Sequence, residues 1–221
     1  MSAPGLDSRG GLRSAATIAA TVWFFGASFG LVARAAGMGS WAPLVMSATT
    51  FAGSAQFAVT SILGASASTA AAIAAAVLLN ARYAPISISV ASLFHGPRLR
   101  RLVESQLIVD ESWALASRGD GHFDRRILLG AGLLLYAAWV SGTAVGVLAG
   151  DALGDPKDLG LDGAFPALFL ALLVPQLRSS RAAVASLAGG GIALALIPVT
   201  PAGVPIVAAA AACLIGLGRP R

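Results

Sequence analysis

The chain has 221 residues, of which 57% are hydrophobic and 11% charged, less than half of the roughly 25% charged that a soluble globular domain carries. That composition excludes a water-soluble domain and points to a polytopic membrane protein. The net charge of +5 does not indicate nucleic acid, because Lys and Arg fall between apolar runs and are not interleaved with aromatics, as expected of topology signals.

The apolar runs predict an all-α, polytopic transmembrane helical bundle with about six to seven membrane segments, some short or broken. They lie at about 14–36, 41–63, 68–94, 127–149, 163–177, 182–198 and 204–217, and the longer ones reach the ~20 residues that a helix needs to cross a bilayer. Residues 1–13 form a cytoplasmic or exposed tail, 14–94 a first membrane bundle, 95–126 a basic cytoplasmic connection, 127–217 a second bundle and 218–221 a C-terminal tail. Arg9 and Arg13 ahead of an apolar run would also suit a cleaved signal peptide, but that run is long and six more follow it.

In the first segment Gly26 and Gly30 are four apart, a small-residue groove that admits close helix packing or thins a helix along a substrate path. In the second, FAGSAQF sets Gly53 and Ser54 before Gln56, whose amide suits a substrate carboxylate or ammonium, an interhelical hydrogen bond, or backbone freed by a helix break. The third contains NARYAPIS, where Arg82 is the only charged residue between Ala35 and Pro97, with Asn80 beside it. A cation at mid-segment costs several kcal/mol unless it pairs, faces water or holds a ligand. Asp110 and Glu111, in the amphipathic stretch 105–117, are its natural ion-pair partners and candidate coupling groups; a solvated loop is the plainer reading of that stretch.

Further along, residues 167–176 echo 47–56 in being apolar and ending in a glutamine, Gln176, as two related halves would require. Pro166, Pro175, Pro198, Pro201 and Pro205 punctuate the last three segments, so tilted or partly inserted helices are expected there. Cys213 alone permits no internal disulfide.

Topology follows from the basic residues. Six arginines lie between His95 and Arg126, against four aspartates and one lysine in 151–162, which places 95–126 in the cytoplasm and 151–162 outside. Three full spans counted back from His95 put Arg9 and Arg13 outside, against that rule. Either the N-terminus is exported, or one of the first three segments is re-entrant, with glycines marking where a break is easiest.

Catalytic constellations are absent: His95 and His122 stand apart, and no HExxH, CxxC, GxSxG or Walker-type loop occurs. No catalytic, metal or cofactor site is expected.

The order FGASFGLVARAAG, SATTFAGSAQF, LLNARY, VDESWALA and FPALFLALLVPQLR resembles the AzlC-type permeases, the large subunit of bacterial branched-chain amino acid exporters. The resemblance covers about 15–217. It implies a multi-pass subunit of the bacterial cytoplasmic membrane that exports valine, leucine, isoleucine and similar amino acids with a small AzlD-type membrane partner. One departure stands out: the commoner form of the family's NxR motif continues with histidine, and here the residue is Tyr83. On this view Arg82, Asn80, Gln56, Ser54 and Gln176 are substrate-binding candidates, Asp110 and Glu111 serve coupling or ion pairing, and Gly26, Gly30 and Gly53 serve helix packing or the path. With no nucleotide-binding motif, an ion gradient is the expected energy source. A non-transporting membrane scaffold and a channel for small solutes are the rival readings.

Overall fold

The computed structural model describes residues 8–65, 68–119, 121–152, 170, 173–174, 177, 180–200, 204–209 and 211–212. Gln176, Cys213 and most of the predicted 163–177 segment lie outside the described residues. Among the described residues three helices are long and apolar enough to cross a membrane: Ala15–Ala35, Thr69–Leu93 and Arg125–Gly150. Large apolar side chains such as Phe24, Ile73, Val77 and Leu148 point outward, the reverse of what water selects and the natural arrangement against lipid.

Helix α1 (Ser8–Ala35) ends at Gly37, whose φ of 79° lets the Met38 and Gly37 amides return to the Ala33 and Arg34 carbonyls, the usual glycine stop of a helix. Its main partner is α8 (Arg125–Ala152). Both carry glycines four apart, and they interlock. A Cβ on Gly26 or Gly30 would run into the backbone of Trp139, Thr143 and Val147, and one on Gly142 or Gly146 would strike that of Trp23 and Ala27. Residue numbers rise together along both helices, so α1 and α8 run parallel. The groove predicted at Gly26 and Gly30 is therefore filled by a helix of the same chain.

The second predicted segment is not one helix. It splits into α2 (Trp41–Thr49) and α3 (Gly53–Gly64), nine and twelve residues long, each well short of the ~20 needed to span. The corner is Phe51, with φ of 43°, a conformation rare for a bulky residue; its ring rests edge-on against Tyr136 at 5.1 Å. Gly64 returns to Ala36, and Thr60 to the Met38 sulfur. Both outer ends of the α2–α3 pair thus sit at the end of α1, and the pair enters and leaves on one side. This favours the re-entrant alternative and places the starts of α1 and α8 on the same side.

The third segment runs as α4 (Thr69–Asn80), α5 (Tyr83–Val90) and a short 3-10 turn, Ala91–Leu93. Pro85 has no N–H for the Ala81 carbonyl, which instead accepts from Ala84. Ala81 and Arg82 keep right-handed helical dihedrals, so the direction continues through the interruption. Val90, at its far end, packs with Ile127 and Leu128 near the start of α8.

The basic connection is structured. It holds α6 (Arg98–Ser105), α7 (Asp110–Ala116) and a hairpin of β1 (Ser117–Gly119) with β2 (His122–Phe123). Leu107 lies against Gly132 of α8, and Val109 joins the buried cluster of Phe29, Phe51, Phe57, Leu135 and Trp139. Ala116, at the other end of α7, lies back beside Val90 and Ile127. The segment dips into the bundle and returns, as its amphipathic pattern allowed. Among the described residues the helices α9 (Ser180–Leu196) and α10 (Val204–Ala209) follow; they pack together and α10 touches α4.

Candidate functional site: a polar junction where two broken segments meet

The tips of the two excursions meet inside the bundle. Ending α2 at Thr49 leaves carbonyls without intrahelical partners, and side chains from elsewhere satisfy them. Gln106 donates to the Thr49 carbonyl at 2.9 Å and the Ala48 carbonyl at 3.4 Å, and the Tyr136 hydroxyl donates to Ala48 at 2.9 Å. On the other side of the break, Gln56 is fully buried. Its Oε1 accepts from the Ala52 amide at 3.2 Å and from Trp139 Nε1 at 3.0 Å, and its Nε2 donates to Ser47 Oγ at 2.9 Å. Ser47 in turn shares a 2.9 Å hydrogen bond with Thr143. Gln56 thereby ties α2, α3 and α8 together at the corner. Trp139 stacks on Phe29, with centroids 6.0 Å apart, and meets Phe57 edge-on, which keeps its N–H aimed at the amide. Trp139→Phe keeps the ring and removes that donor, so a loss of about 1 kcal/mol is expected. It should be read as a small drop in melting temperature in detergent with the fold retained.

Arg82 lies just beyond this network, near the middle of the Thr69–Leu93 span. Its Nη2 donates to Ser54 Oγ at 3.0 Å and pairs with Asp110 Oδ2 at 3.1 Å, and its guanidinium lies 5.3 Å from the Tyr83 ring centre. Ser54 is in the first turn of α3 and Asp110 opens α7. The junction thus gathers one residue from each of three interrupted elements. Arg82 and Asp110 are 44% and 40% exposed. An ionised pair at mid-span cannot face hydrocarbon without a cost of several kcal/mol, so in a bilayer this face must meet water, a ligand or another protein surface. The first-turn amides of α3, which no helical carbonyl uses, add partial positive charge beside Arg82.

Asn80 is two positions before Arg82, about half a helical turn away. Its Oδ1 is buried and accepts no hydrogen bond among the described residues, and it lines an open depression of about 540 Å³ whose other walls include Met46, Val59, Leu63 and the outward-facing Ile73 and Val77. The apolar depression and the polar cluster therefore adjoin the same interruption of the third span, the first through Asn80 and Ala81 and the second through Arg82.

Glu111 follows Asp110 and does not pair with Arg82. Nearer the start of α8, Glu104 is held low by hydrogen bonds from Arg100 and Arg125, and Asp124 by Arg118, with the Arg126 and Ile127 amides also bonding its carboxylate. Among the described residues no group of three or more His, Cys, Asp or Glu side chains is placed to hold a metal ion.

Of the residues singled out from the sequence, Ser54, Arg82 and Asp110 come together, Asn80 lines the open depression, Gln56 is one layer behind, and Gly53 abuts the Trp139 ring. Sequence reasoning passed over Ser47, Gln106, Tyr136, Trp139 and Thr143. Gln106 carried the same signal as Gln56, an amide in an apolar run; the hydroxyls of Ser47 and Thr143 carried none.

The AzlC protein family model matches residues 17–153, which takes in every residue of this junction. An uncharacterized membrane protein of Archaeoglobus fulgidus is 36% identical over 194 residues, covering 84% of this chain and 82% of the relative. The branched-chain amino acid transport protein AzlC of Bacillus subtilis is 25% identical over 78% of this chain and 68% of its own length, and the inner membrane protein YgaZ of Escherichia coli is 27% identical over 78% and 76%. No solved structure matches. With its apolar spans, its two interrupted segments and a family match over most of its length, the chain belongs to the AzlC family of transport-associated membrane proteins.

Proposed function

We propose that this chain is the large subunit of a carrier that moves valine, leucine, isoleucine and similar amino acids outward across a bacterial cytoplasmic membrane, together with a small AzlD-type partner. The observation that carries the reading is the half-exposed Arg82–Asp110 pair at mid-span, with an apolar depression adjoining the same interruption of the third span. A zwitterion with an aliphatic side chain needs those two environments next to one another. Arg82, Ser54 and the start of α3 would receive the carboxylate, Asp110 would exchange its ion pair for the substrate ammonium, and the side chain would enter the depression beside Asn80. The branched-chain transport name of the Bacillus subtilis relative supports the substrate class. Asp110 and Glu111 are the carboxylates placed to couple a proton to this exchange.

Intracellular valine, leucine and isoleucine after dipeptide feeding, with and without this chain and its partner, test the proposal. Accumulation should fall when both are present. Saturable flux in proteoliposomes supports a carrier, flux that does not saturate at low concentration identifies a channel, and no flux at all identifies a scaffold.

The parallel run of α1 and α8, joined to the arginines between His95 and Arg126, supports a cytoplasmic N-terminus and connection, with 151–162 outside. In intact cells of a Cys213→Ser background, an impermeant thiol reagent should label Asp155→Cys and spare His122→Cys, and an N-terminal tag should resist added protease. A cleaved tag with His122→Cys spared would overturn the parallel pairing.

A further inference from the structure

The basic helix α6, RLRRLVES, is mounted with its apolar face outward. Glu104 is turned to the protein, where its carboxylate binds Arg125 at the start of α8 and Arg100 one turn back. Leu99, Leu102 and Val103, which share the opposite stripe at i, i+3 and i+4, are 73%, 67% and 62% exposed. Three large apolar side chains held away from the bundle by an ion pair on the inner side make no sense in water.

Place in the fold supplies the occupant. Just before α6, the Thr69–Leu93 span ends; Arg125, which anchors it, begins the Arg125–Gly150 span. Two span ends thus fix α6 at the depth where hydrocarbon gives way to headgroups. Around the helix, Arg98 and Arg100 flank the apolar stripe on either side and Arg101 lies behind it. Arg98 and Arg101 make no ion pair among the described residues. Apolar side chains pointing into a bilayer with guanidinium groups at the rim are how an interfacial helix engages lipid, and Arg is suited to phosphate oxygens through its two-pronged donors.

We propose that α6 is an anionic-phospholipid-binding interfacial helix: Leu99, Leu102 and Val103 enter the acyl region of the leaflet at the start of α8, Arg98 at the rim binds the headgroup phosphates, and Arg101 adds positive charge from the far side of the helix. The contact clamps the Arg125–Glu104 anchor and with it the chain that leads through Gln106 to the α2 break, so the lipid surface is joined mechanically to the junction.

The test uses the full chain with Cys213→Ser and Leu102→Cys, labelled with a polarity-sensitive fluorophore and reconstituted in vesicles of phosphatidylcholine alone or with phosphatidylglycerol. Leu99→Cys is labelled in parallel as a second position. The fluorophore should be quenched by phosphatidylcholine spin-labelled near the headgroup, and should resist aqueous iodide several-fold better than the same label at His122→Cys. Phosphatidylglycerol should strengthen this protection, and Arg98→Gln with Arg101→Gln should abolish that gain. Iodide quenching at both positions equal to that at His122→Cys overturns the proposal. Protection from iodide without quenching by the spin-labelled lipid assigns the face to a protein or a second copy and also overturns it, as does protection indifferent to phosphatidylglycerol and to both arginines.

Discussion

Arg82→Lys should lower valine efflux about tenfold or more while leaving the amount and melting temperature of the inserted protein close to wild type. The variant keeps the charge but replaces a planar guanidinium, whose Nη2 alone reaches both Ser54 and Asp110 and whose other N–H groups remain for a substrate carboxylate, with a single ammonium; losing one charge-assisted hydrogen bond to a bound carboxylate, worth ~1.5 kcal/mol or more, is a tenfold effect. Stability should respond little because the pair is partly exposed, and such pairs contribute about 0–1 kcal/mol to folding. A sealed ion pair would behave otherwise, since removing one partner strands a buried charge at a cost of about 3–5 kcal/mol. Arg82→Ala separates the cases. Loss of efflux with normal abundance supports the substrate site, loss of abundance makes the pair structural, and wild-type efflux in both variants sinks the site.

For Gly146→Leu the expected result is no folded protein at all. Any Cβ there meets the carbonyl of Ala27 at a distance real Cβ atoms do not adopt, and that carbonyl cannot move without shifting α1. Overpacking a yielding core costs about 1–3 kcal/mol, and a backbone contact yields less than a side chain does. Against a total stability of about 5–15 kcal/mol, and with α1–α8 the most extensive interface, the variant should give no monodisperse peak in detergent. Gly191→Ala, on α9 where nothing lies within 4 Å, should be neutral or slightly stabilising, as expected of glycine replaced inside an exposed helix. A native melting curve for Gly146→Leu would show that the parallel packing is wrong.

The two long spans α1 and α8 were legible because hydrophobic length alone specifies them. Gly26 and Gly30 announced close packing, and their partner glycines Gly142 and Gly146 stood in plain view at the same spacing. Local flexibility points to Gly26, Gly30 and Gly37 or to Gly53 and Ser54 as the easiest places for a break, whereas the corner is Phe51. Local preference could not have located it. That corner is held by Gln106, Tyr136 and Trp139, 57 to 88 positions from the groups they bond, and such long-range partners leave no trace in a window of sequence. Arg82 was conspicuous as a lone charge, and Asp110 was named as a partner from charge alone. Its delivery to mid-span by a dipping segment could not be read, because 105–117 is equally compatible with a solvated loop.

The same long-range hydrogen bonds impose an order on biogenesis. Residues 41–64 leave the ribosome well before Gln106, Tyr136 and Trp139 exist, yet the carbonyls at the α2 end and the amide of Ala52 depend on those side chains or on Gln56 held by them. Exposed to hydrocarbon, these backbone groups would be prohibitively costly. The nascent hairpin must therefore wait at the interface or inside the insertion machinery until α8 has been laid down, and only then slide into place. A chain truncated before α8 should stay with that machinery as a substrate for quality-control proteolysis, which makes the re-entrant pair a checkpoint on completed synthesis.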